Sequence, residues 1–362
     1  MQLDELFKMA AAQKASDLFI REGARPALRI NGKVQQTDLP ALSREEVQAL
    51  AHSVMTERQR EMFSRSSELD LALDIEGVTR VRANFYRQRG GCGMTFRLVP
   101  YRIPTIEELG LPPVLKNLCQ HRQGLILVTG PTGCGKSSTL AAMLDLINNT
   151  KKVHIITVED PIEFVHPDKM GIVTQREVGV DTENFRDALK YMMRQSPDVI
   201  MVGEMRDHET VSVGIEASLT GHLVFSTLHT NSAPESVVRL LDMGMDPFNF
   251  ADALLGVLAQ RLAKRLCTKC RVAYQPDDDE VNRLLDEYCE DMHLTEDFRV
   301  DAEAARQRVL TRWKEAFAAK DGRFTLYRPV GCEHCNQGYK GRVGLHELML
   351  GSDAIKRLIQ SR

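Results

Sequence analysis

The spacing of apolar residues up to about residue 98 predicts a small α+β domain. A short amphipathic helix opens the chain, and a segment that alternates between apolar and polar residues follows near residue 70. The residues that carry these patterns are Leu3, Leu6, Phe7 and Ala10 for the helix, and Leu69, Leu71, Leu73 and Ile75 for the strand. Asn31-Gly32 between short apolar runs predicts a hairpin, and Ser43 with Glu46 predicts a helix capping box.

A second pattern, in which apolar strands alternate with helices, covers residues 124–266. Mainly apolar segments, which predict buried strands, begin at Leu125, Val153, Val199 and His222. Runs without alternation are typical of parallel strands covered by helices on both faces. The fold class is therefore α/β, with a parallel sheet following the small α+β domain of residues 1–98. Prolines at 100, 104, 112 and 113 predict a hinge-like linker over residues 99–123.

The last quarter of the chain has a different character. Residues 267–340 include an acidic run, 277–280, and a helical stripe made by Val309, Trp313 and Phe317. Spacing by four favours packing within the chain over a partner surface. Residues 341–362 are predicted to form a helical carboxyl-terminal segment.

Composition narrows the possible classes of protein. The 362 residues are enough for two or three domains. A net charge of −3 and an aromatic content of 6% argue against nucleic acid as a partner. No apolar run reaches the ~18 residues needed to span a bilayer, and the amino terminus lacks a signal-peptide pattern. We therefore expect a cytoplasmic protein, with any membrane association made through partners.

A complete phosphate-binding loop follows the first strand of the α/β region. Its pattern is G-x-x-x-x-G-K-[ST], between an apolar strand and a predicted helix, and that context distinguishes it from a chance glycine-rich turn. The predicted nucleotide-binding residues are Gly130, Pro131, Thr132, Gly133, Cys134, Gly135, Lys136, Ser137 and Ser138. Backbone N–H groups of such a loop surround phosphate oxygens, Lys136 reaches the β- and γ-phosphates, and the Ser137 hydroxyl ligates Mg²⁺. The sequence therefore predicts that ATP and Mg²⁺ bind here.

Acidic residues follow two later strands of the same sheet. Glu159, Asp160 and Glu163 come after the second strand, and Glu204 comes after the third. Ligands of open parallel sheets bind beyond the carboxyl ends of the strands, where these acids are expected. Phosphate hydrolysis needs one carboxylate that activates water and others that hold the metal shell. Glu159 and Asp160 are predicted to be cofactor-binding residues. The alternative is a set of solvated acids on surface loops.

Arg82 and Arg97 lie on either side of a glycine-rich turn at residues 90–93. A turn centred between Arg89 and Gly90 would place the two arginines opposite each other, on one face of the hairpin. A solvated strand face is the alternative reading of this pattern.

Four of the eight cysteines form two C-x-x-C knuckles. These are Cys267 with Cys270 and Cys332 with Cys335. Four thiolates complete a tetrahedral zinc shell and leave no open position, so the predicted Zn²⁺ is structural. Free buried thiols are the alternative, and His334 is a weaker candidate ligand.

Four motifs in order resemble the hexameric motor ATPases of type II secretion and type IV pili. The motifs are GPTGCGKSS (130–138), TVEDPIEF (157–164), the segment 175–207 that ends in VIMVGEMRD, and GHLVFSTLHTNSA (221–233). They are similar to the Walker A motif, Asp box, Walker B motif and His box of that family. The resemblance implies a RecA-like core, a PAS-like amino-terminal domain and a zinc-knuckle subdomain.

The resemblance also implies roles for residues outside the loop. Glu163 matches the water-activating glutamate, and Glu204 matches the Walker B acid. His222 and His229 match histidines that couple nucleotide state to the contact between subunits, although a histidine on an apolar strand is otherwise more typical of a satisfied core residue. The paired arginines, Arg82 and Arg97, match those that close over the γ-phosphate.

The subfamily has two candidates. The short amino-terminal region resembles PilT-like retraction ATPases, whereas the tetracysteine site and the segment GVLAQRL (256–262) resemble assembly and secretion ATPases. The long gap between the knuckles departs from the family pattern. The segment AIKRLI (354–359) resembles the retraction motif until Gln360 and Ser361 replace its basic-acidic pair.

The resemblance therefore implies an ATP-hydrolysing homo-hexamer beneath an inner-membrane platform protein, with a paralogous motor ATPase as a further partner. Retraction, which drives twitching motility, is the first expectation, and pilus assembly or type II secretion is the alternative. More distant alternatives are a nucleotide-binding adaptor of a partner ATPase and a nucleic-acid motor, which would need a basic, aromatic channel.

Overall fold

The computed structural model describes residues 2–30, 32–75, 79–99 and 102–361. Asn31 of the predicted hairpin and Pro100 of the predicted linker lie outside these described residues. Contacts within the chain divide it into two compact units. One unit comprises the described residues of Met1–Arg261 and His346–Arg362, and the other comprises Leu262–Leu345.

An antiparallel sheet forms the amino-terminal part of the first unit. Its strands, in the order β3-β2-β1-β6-β5-β4 within the described residues, are accompanied by three helices. The elements are α1 (Leu3–Ala12), β1 (Asp17–Arg21), β2 (Ala27–Ile30), β3 (Lys33–Gln36), α2 (Arg44–Val54), α3 (Glu57–Ser66), β4 (Glu68–Ile75), β5 (Thr79–Gln88) and β6 (Gly91–Leu98). The predicted capping box is present, since the Ser43 side chain accepts from the Glu46 N–H and the Glu46 carboxylate accepts from the Ser43 N–H.

The hairpin of β5 and β6 has the register that its turn predicts. Arg89 and Gly90 both have positive φ, 47° and 77°, which is the backbone of a two-residue turn between twisted strands. That turn pairs Gln88 with Gly91, and therefore Arg82 with Arg97. Apolar residues of the other face are buried against the helices, so the two arginines share the face that points away from the amino-terminal core.

A second, seven-stranded sheet is formed by described residues that follow the amino-terminal part, in the order β15-β12-β7-β11-β10-β8-β9. From β12 to β9 each pair of neighbours is parallel. Its strands are β7 (Gly124–Thr129), β8 (His154–Glu159), β9 (Ile172–Glu177), β10 (Val199–Val202), β11 (Leu223–Leu228), β12 (Leu254–Leu266) and β15 (Tyr339–Leu350). The predicted α/β fold is confirmed.

Helices cover both faces of this sheet. They are α4 (Val114–Leu118), α5 (Lys136–Thr150), α6 (Phe185–Met192), α7 (His208–Leu219), α8 (Ala233–Asp242), α9 (Pro247–Ala253) and α13 (Asp353–Gln360). One apolar core lies among α6, α7, α8, α9 and α13, and a second lies beneath α4 and α5. Strands buried on both faces need apolar residues at successive positions, which explains the mainly apolar segments in the sequence.

Two predictions about connecting segments need correction. Residues 102–123 are not a bare hinge, because Leu111, Leu115 and Leu118 are buried against the parallel sheet and α4 forms there. Residues 341–350 belong to strand β15, so the carboxyl-terminal helix is confined to Asp353–Gln360. Partly buried and exposed residues alternate from Gly344 to Leu348, a period that suits a strand and not a helix.

The second unit contains a small helical core. Its elements are β13 (Val272–Tyr274), α10 (Asp278–Cys289), a 3₁₀-helix (Glu290–Leu294), α11 (Glu296–Val300), α12 (Ala302–Phe317) and β14 (Leu326–Arg328). Val309 is buried and Trp313 packs against the same core. Phe317 is 73% exposed, so the predicted stripe packs only over its first two members. Phe317 is the last residue of α12 and is not a member of the core.

Candidate nucleotide-binding site

The phosphate-binding loop connects β7 to the first turn of α5. Gly130 has φ 140°, and a Cβ there would overlap the carbonyl oxygen of Gln260. Only glycine fits such a close approach of two backbones. The loop is thereby held against β12 and leads directly into the amino end of α5, where N–H groups without helical partners attract anions.

Lys136 begins α5 and folds back over this loop. Its Nζ donates to the carbonyl oxygens of Gly130, at 2.8 Å, and Pro131, at 3.3 Å. Burial lowers the pKa of Lys136, while the negative charges of Glu204 and Glu163 oppose that effect. Both acids are therefore within electrostatic range of the ammonium group, as a shared site requires.

Gln260 supports the loop from the side, and sequence reasoning did not assign it a role. Its Nε2 donates to the Cys134 carbonyl oxygen at 2.8 Å, and its Oε1 accepts from the Thr139 hydroxyl at 2.9 Å. All three residues are buried. One feature of the sequence could have indicated this role: Gln260 is a polar residue that directly follows an apolar strand segment. Buried amides are normally hydrogen-bonded, so such a residue is expected to have partners.

The acids after β8 divide into a buried and an exposed group. Glu159 is buried, accepts from the Thr157 hydroxyl at 2.7 Å and from Gln175 Nε2 at 3.0 Å, and burial raises its pKa. Asp160 and Glu163 are exposed on the loop that follows. Glu159, the last residue of β8, thus fixes the start of the loop, and the exposed Asp160 and Glu163 are accessible to a ligand.

Glu163 is met by an arginine from the amino-terminal sheet. Arg82 Nη2 lies 3.7 Å from Glu163 Oε1 and donates to the Pro161 carbonyl oxygen at 3.4 Å. Arg97, opposite Arg82, pairs through Nε with the Asp17 carboxylate at 3.1 Å. A cleft of about 540 Å³ lies between this strand face and the loop after β8, lined in part by both arginines and Asp160.

Glu204 follows β10 at the same edge of the sheet. Its carboxylate lies 2.7 Å from Arg206 Nε and 3.6 Å from His229 Nε2. Since β7, β8, β10 and β11 are parallel, their carboxyl ends bring the phosphate-binding loop, Glu163, Glu204 and His229 to one edge.

The structure does not bring His222 to this edge. It precedes β11, whereas His229 follows it, and the seven residue steps from His222 to His229 span about 23 Å at ~3.3 Å per residue. The His222 ring nitrogen Nδ1 lies 2.9 Å from the Ala217 carbonyl oxygen, at the end of α7. Within one chain His222 is therefore a structural partner of α7, and its predicted role at a subunit contact stays a prediction.

The four knuckle cysteines lie together in the second unit. Their sulfur atoms are all within 4.8 Å of one another, with Sγ–Sγ distances such as 3.9 Å for Cys267–Cys332 and 3.7 Å for Cys270–Cys335. The cluster in the described part of the chain does not include His334, whose ring is 3.4 Å from Glu333. Four converging thiols are the donor set that suits a tetrahedral zinc ion.

Comparison with known proteins adds relatives along the whole chain. Residues 1–362 match the family described as Type II/IV secretion system protein. The type IV pilus retractation ATPase PilT of Pseudomonas aeruginosa is 45% identical over 272 residues, or 74% of this chain and 79% of that protein. The type II secretion system ATPase E of Vibrio cholerae is 44% identical over 248 residues, or 68% of this chain and 42% of that protein. The solved structure of the pilus retraction motor PilT with bound ADP has a TM-score of 0.76 and 36% identity, and covers 100% of this chain and 86% of that chain.

Proposed function

Because the chain belongs to the Type II/IV secretion system protein family, we propose that it is an ATP-hydrolysing motor that powers the retraction of type IV pili. The observation that carries the ATPase proposal is the parallel strand order, which brings the phosphate-binding loop with Lys136 to the same edge of the sheet as Glu163 and Glu204. Retraction is favoured by the match to PilT, which extends over 79% of that protein.

The residues of the loop fit a nucleoside triphosphate with Mg²⁺. The cradle at Gly130 excludes any side chain, and Lys136 is already poised over backbone oxygens that phosphate oxygens can replace. Bound Mg²⁺ supplies charge neutralisation of the β- and γ-phosphates, with Ser137 and Glu204 as the residues that would hold it.

Glu163, Arg82 and Arg97 are proposed to act in the hydrolysis step. Glu163 orients and deprotonates the attacking water, a role that requires an exposed carboxylate next to the phosphate. Arg82 leaves Glu163 for the γ-phosphate, and Arg97, anchored by Asp17, approaches the same group. Two guanidinium groups stabilise the negative charge that develops in the transition state. Loss of the phosphate releases them, and the angle between the two sheets changes with each turnover.

The assembly is proposed to be a homo-hexamer that acts on an inner-membrane platform protein from the cytoplasmic side, together with a paralogous motor ATPase. No helix among the described residues is long and apolar enough to cross a bilayer. Pilus assembly or type II secretion is the second candidate, favoured by the tetracysteine cluster and by the match to the secretion ATPase of Vibrio cholerae. We assign the cluster to a structural Zn²⁺, which all four thiolates would hold.

ATP hydrolysis by the purified protein tests the proposal. We expect Lys136→Ala to lose nucleotide binding, and Glu163→Gln to bind ATP while turnover falls by about 10²-fold or more. Glu209→Gln, a change at an exposed acid paired with Arg186, is the matched control and should hydrolyse ATP at the wild-type rate. The mass of the particle, measured with and without nucleotide, shows whether the protein forms the proposed hexamer. A wild-type protein that binds ATP without hydrolysing it would overturn the motor and favour the adaptor.

A further inference from the structure

An ion pair between a buried glutamate and a largely buried arginine connects the two sheets of the first unit. Arg80 Nη2, on β5, lies 3.0 Å from Glu177 Oε2, at the end of β9. The side chains are only 15% and 6% exposed, although the residues are 97 positions apart in the sequence. A surface ion pair contributes little, but a pair removed from water is costly to break from one side.

The same carboxylate also holds the loop of residues 160–163. Glu177 Oε2 accepts from the backbone N–H of Ile162 at 3.1 Å. Ile162 is buried, and it directly precedes Glu163, the residue proposed to activate water. The position of the Glu177 carboxylate therefore sets the position of the backbone that carries Glu163.

Glu177 itself is held rigidly. Its Cα pairs with that of Glu159 in the parallel register of β8 and β9, and its N–H donates to Asp181 Oδ2 at 2.9 Å. Arg80 also has an exposed partner, since its Nη1 donates to both carboxylate oxygens of Asp74 on β4, a side chain that is 73% exposed and therefore adds little to the position of Arg80.

Strand β5 touches the same loop a second time, through Arg82. This contact is longer, at 3.7 Å to Glu163, and both side chains are more exposed, at 27% and 47%. The two arginines are two residues apart on one strand and so share a face. The short, buried contact of Arg80 is suited to remain in place while the exposed contact of Arg82 exchanges for phosphate.

We propose that Glu177 is a positioning residue for Glu163 and that Arg80 is the fixed connection through which the amino-terminal sheet acts on the 160–163 loop. The proposal rests on the ATPase function proposed above. Removal of the Arg80 charge leaves a buried carboxylate without its partner, so Glu177 moves toward water and the Ile162 hydrogen bond is lost. The loop then holds Glu163 in several positions, only some of which are productive.

Four variants test this chain of contacts. Glu177→Ala removes both the ion pair and the acceptor for Ile162, whereas Glu177→Gln keeps a carboxamide oxygen as acceptor. Arg80→Gln removes the charge that pairs with Glu177 and keeps the acceptor for Ile162, and Asp74→Asn, which changes only the exposed partner of Arg80, is the matched control. We expect kcat to fall by roughly 10- to 100-fold in Glu177→Ala and by about tenfold or less in Glu177→Gln and Arg80→Gln. The dissociation constant of a fluorescent ATP analogue should stay within about twofold of wild type, since the phosphate-binding loop is untouched.

Hydrogen exchange of the peptide that contains residues 160–163 measures how well the hydrogen bond from Ile162 to Glu177 is kept, and it does not require ATP hydrolysis. We expect faster exchange in Glu177→Ala and Arg80→Gln, and wild-type exchange in Asp74→Asn. This second measurement separates the two proposals: an inactive wild-type enzyme overturns the ATPase, whereas unchanged exchange in Glu177→Ala overturns the positioning role. Equal losses of kcat in Asp74→Asn and Arg80→Gln, or a kcat in Glu177→Gln and Arg80→Gln equal to wild type, would also overturn it.

Discussion

Replacement of Gln260 by methionine tests whether the phosphate-binding loop depends on support from β12. The change conserves side-chain length and removes the amide. It leaves two buried groups without partners, namely the Cys134 carbonyl and the Thr139 hydroxyl. Each buried polar group left unsatisfied costs about 1–3 kcal/mol, so Gln260→Met should lower the free energy of unfolding by about 2–6 kcal/mol.

A double-mutant cycle sharpens this expectation. Thr139→Val alone leaves Gln260 Oε1 unpaired and should cost about 1–3 kcal/mol. In the double variant only the Cys134 carbonyl lacks its partner, so the double variant should be no less stable than Gln260→Met alone. Costs that simply add would show that the two side chains do not act on each other.

Urea unfolding followed by circular dichroism measures the free energy of unfolding. Titration with a fluorescent ATP analogue measures the affinity of the phosphate-binding loop for nucleotide. Because Cys134 lies within the loop, we expect Gln260→Met to weaken nucleotide binding by roughly tenfold. A variant that unfolds at the wild-type urea concentration and binds the analogue equally well would refute the reasoning.

Three further predictions concern separate parts of the chain. Gly130→Ala should abolish ATP binding in the same titration without unfolding the protein, because a Cβ overlaps the Gln260 carbonyl and φ is 140°; Gly133→Ala, with open space around its Cβ, should bind more tightly than Gly130→Ala. Cys267→Ser should lower the zinc content of the purified protein well below that of Cys289→Ser, which lies outside the cluster; equal zinc contents would contradict the site. Burial lowers the pKa of His166 to about 4 from 6.5, so its neutral form stabilises the fold fully above pH 6.5, and about 3 kcal/mol is lost as pH falls to 4. The free energy of unfolding of His166→Gln should therefore change less between pH 6.5 and pH 4 than that of the wild type. An equal pH dependence in the two proteins would exclude His166 as the cause of that dependence.

The spacing of residues along the chain was sufficient to predict those features that lie within one short segment. The phosphate-binding loop is such a case, because loop, strand and helix follow one another within residues 124–150 and the backbone makes the site. The hairpin of Arg82 and Arg97 is another, since a two-residue turn determines which residues stand opposite each other. Each C-x-x-C knuckle is also local, and chemistry alone required the two knuckles to meet.

Sequence could not indicate which distant groups would meet at the loop after β8. Arg80 and Glu177 looked like ordinary charged residues of strands, and only the packing of two sheets removes both from water. The support of Cys134 by Gln260 joins residues 126 positions apart. Periodicity predicts which face of an element is buried, but not which element covers it.

The sequence by itself determined the α/β class, the position of the phosphate-binding loop and the four members of the cysteine cluster, because each follows from residues at fixed local spacing. Only the tertiary structure decided which of the acids, arginines and histidines lie close together. It brought Glu163, Glu204 and His229 to one edge of the sheet through parallel strand order, and left His222 at the other. The physical reason is that strand order and sheet packing depend on contacts between distant segments, whose combined burial no local pattern specifies.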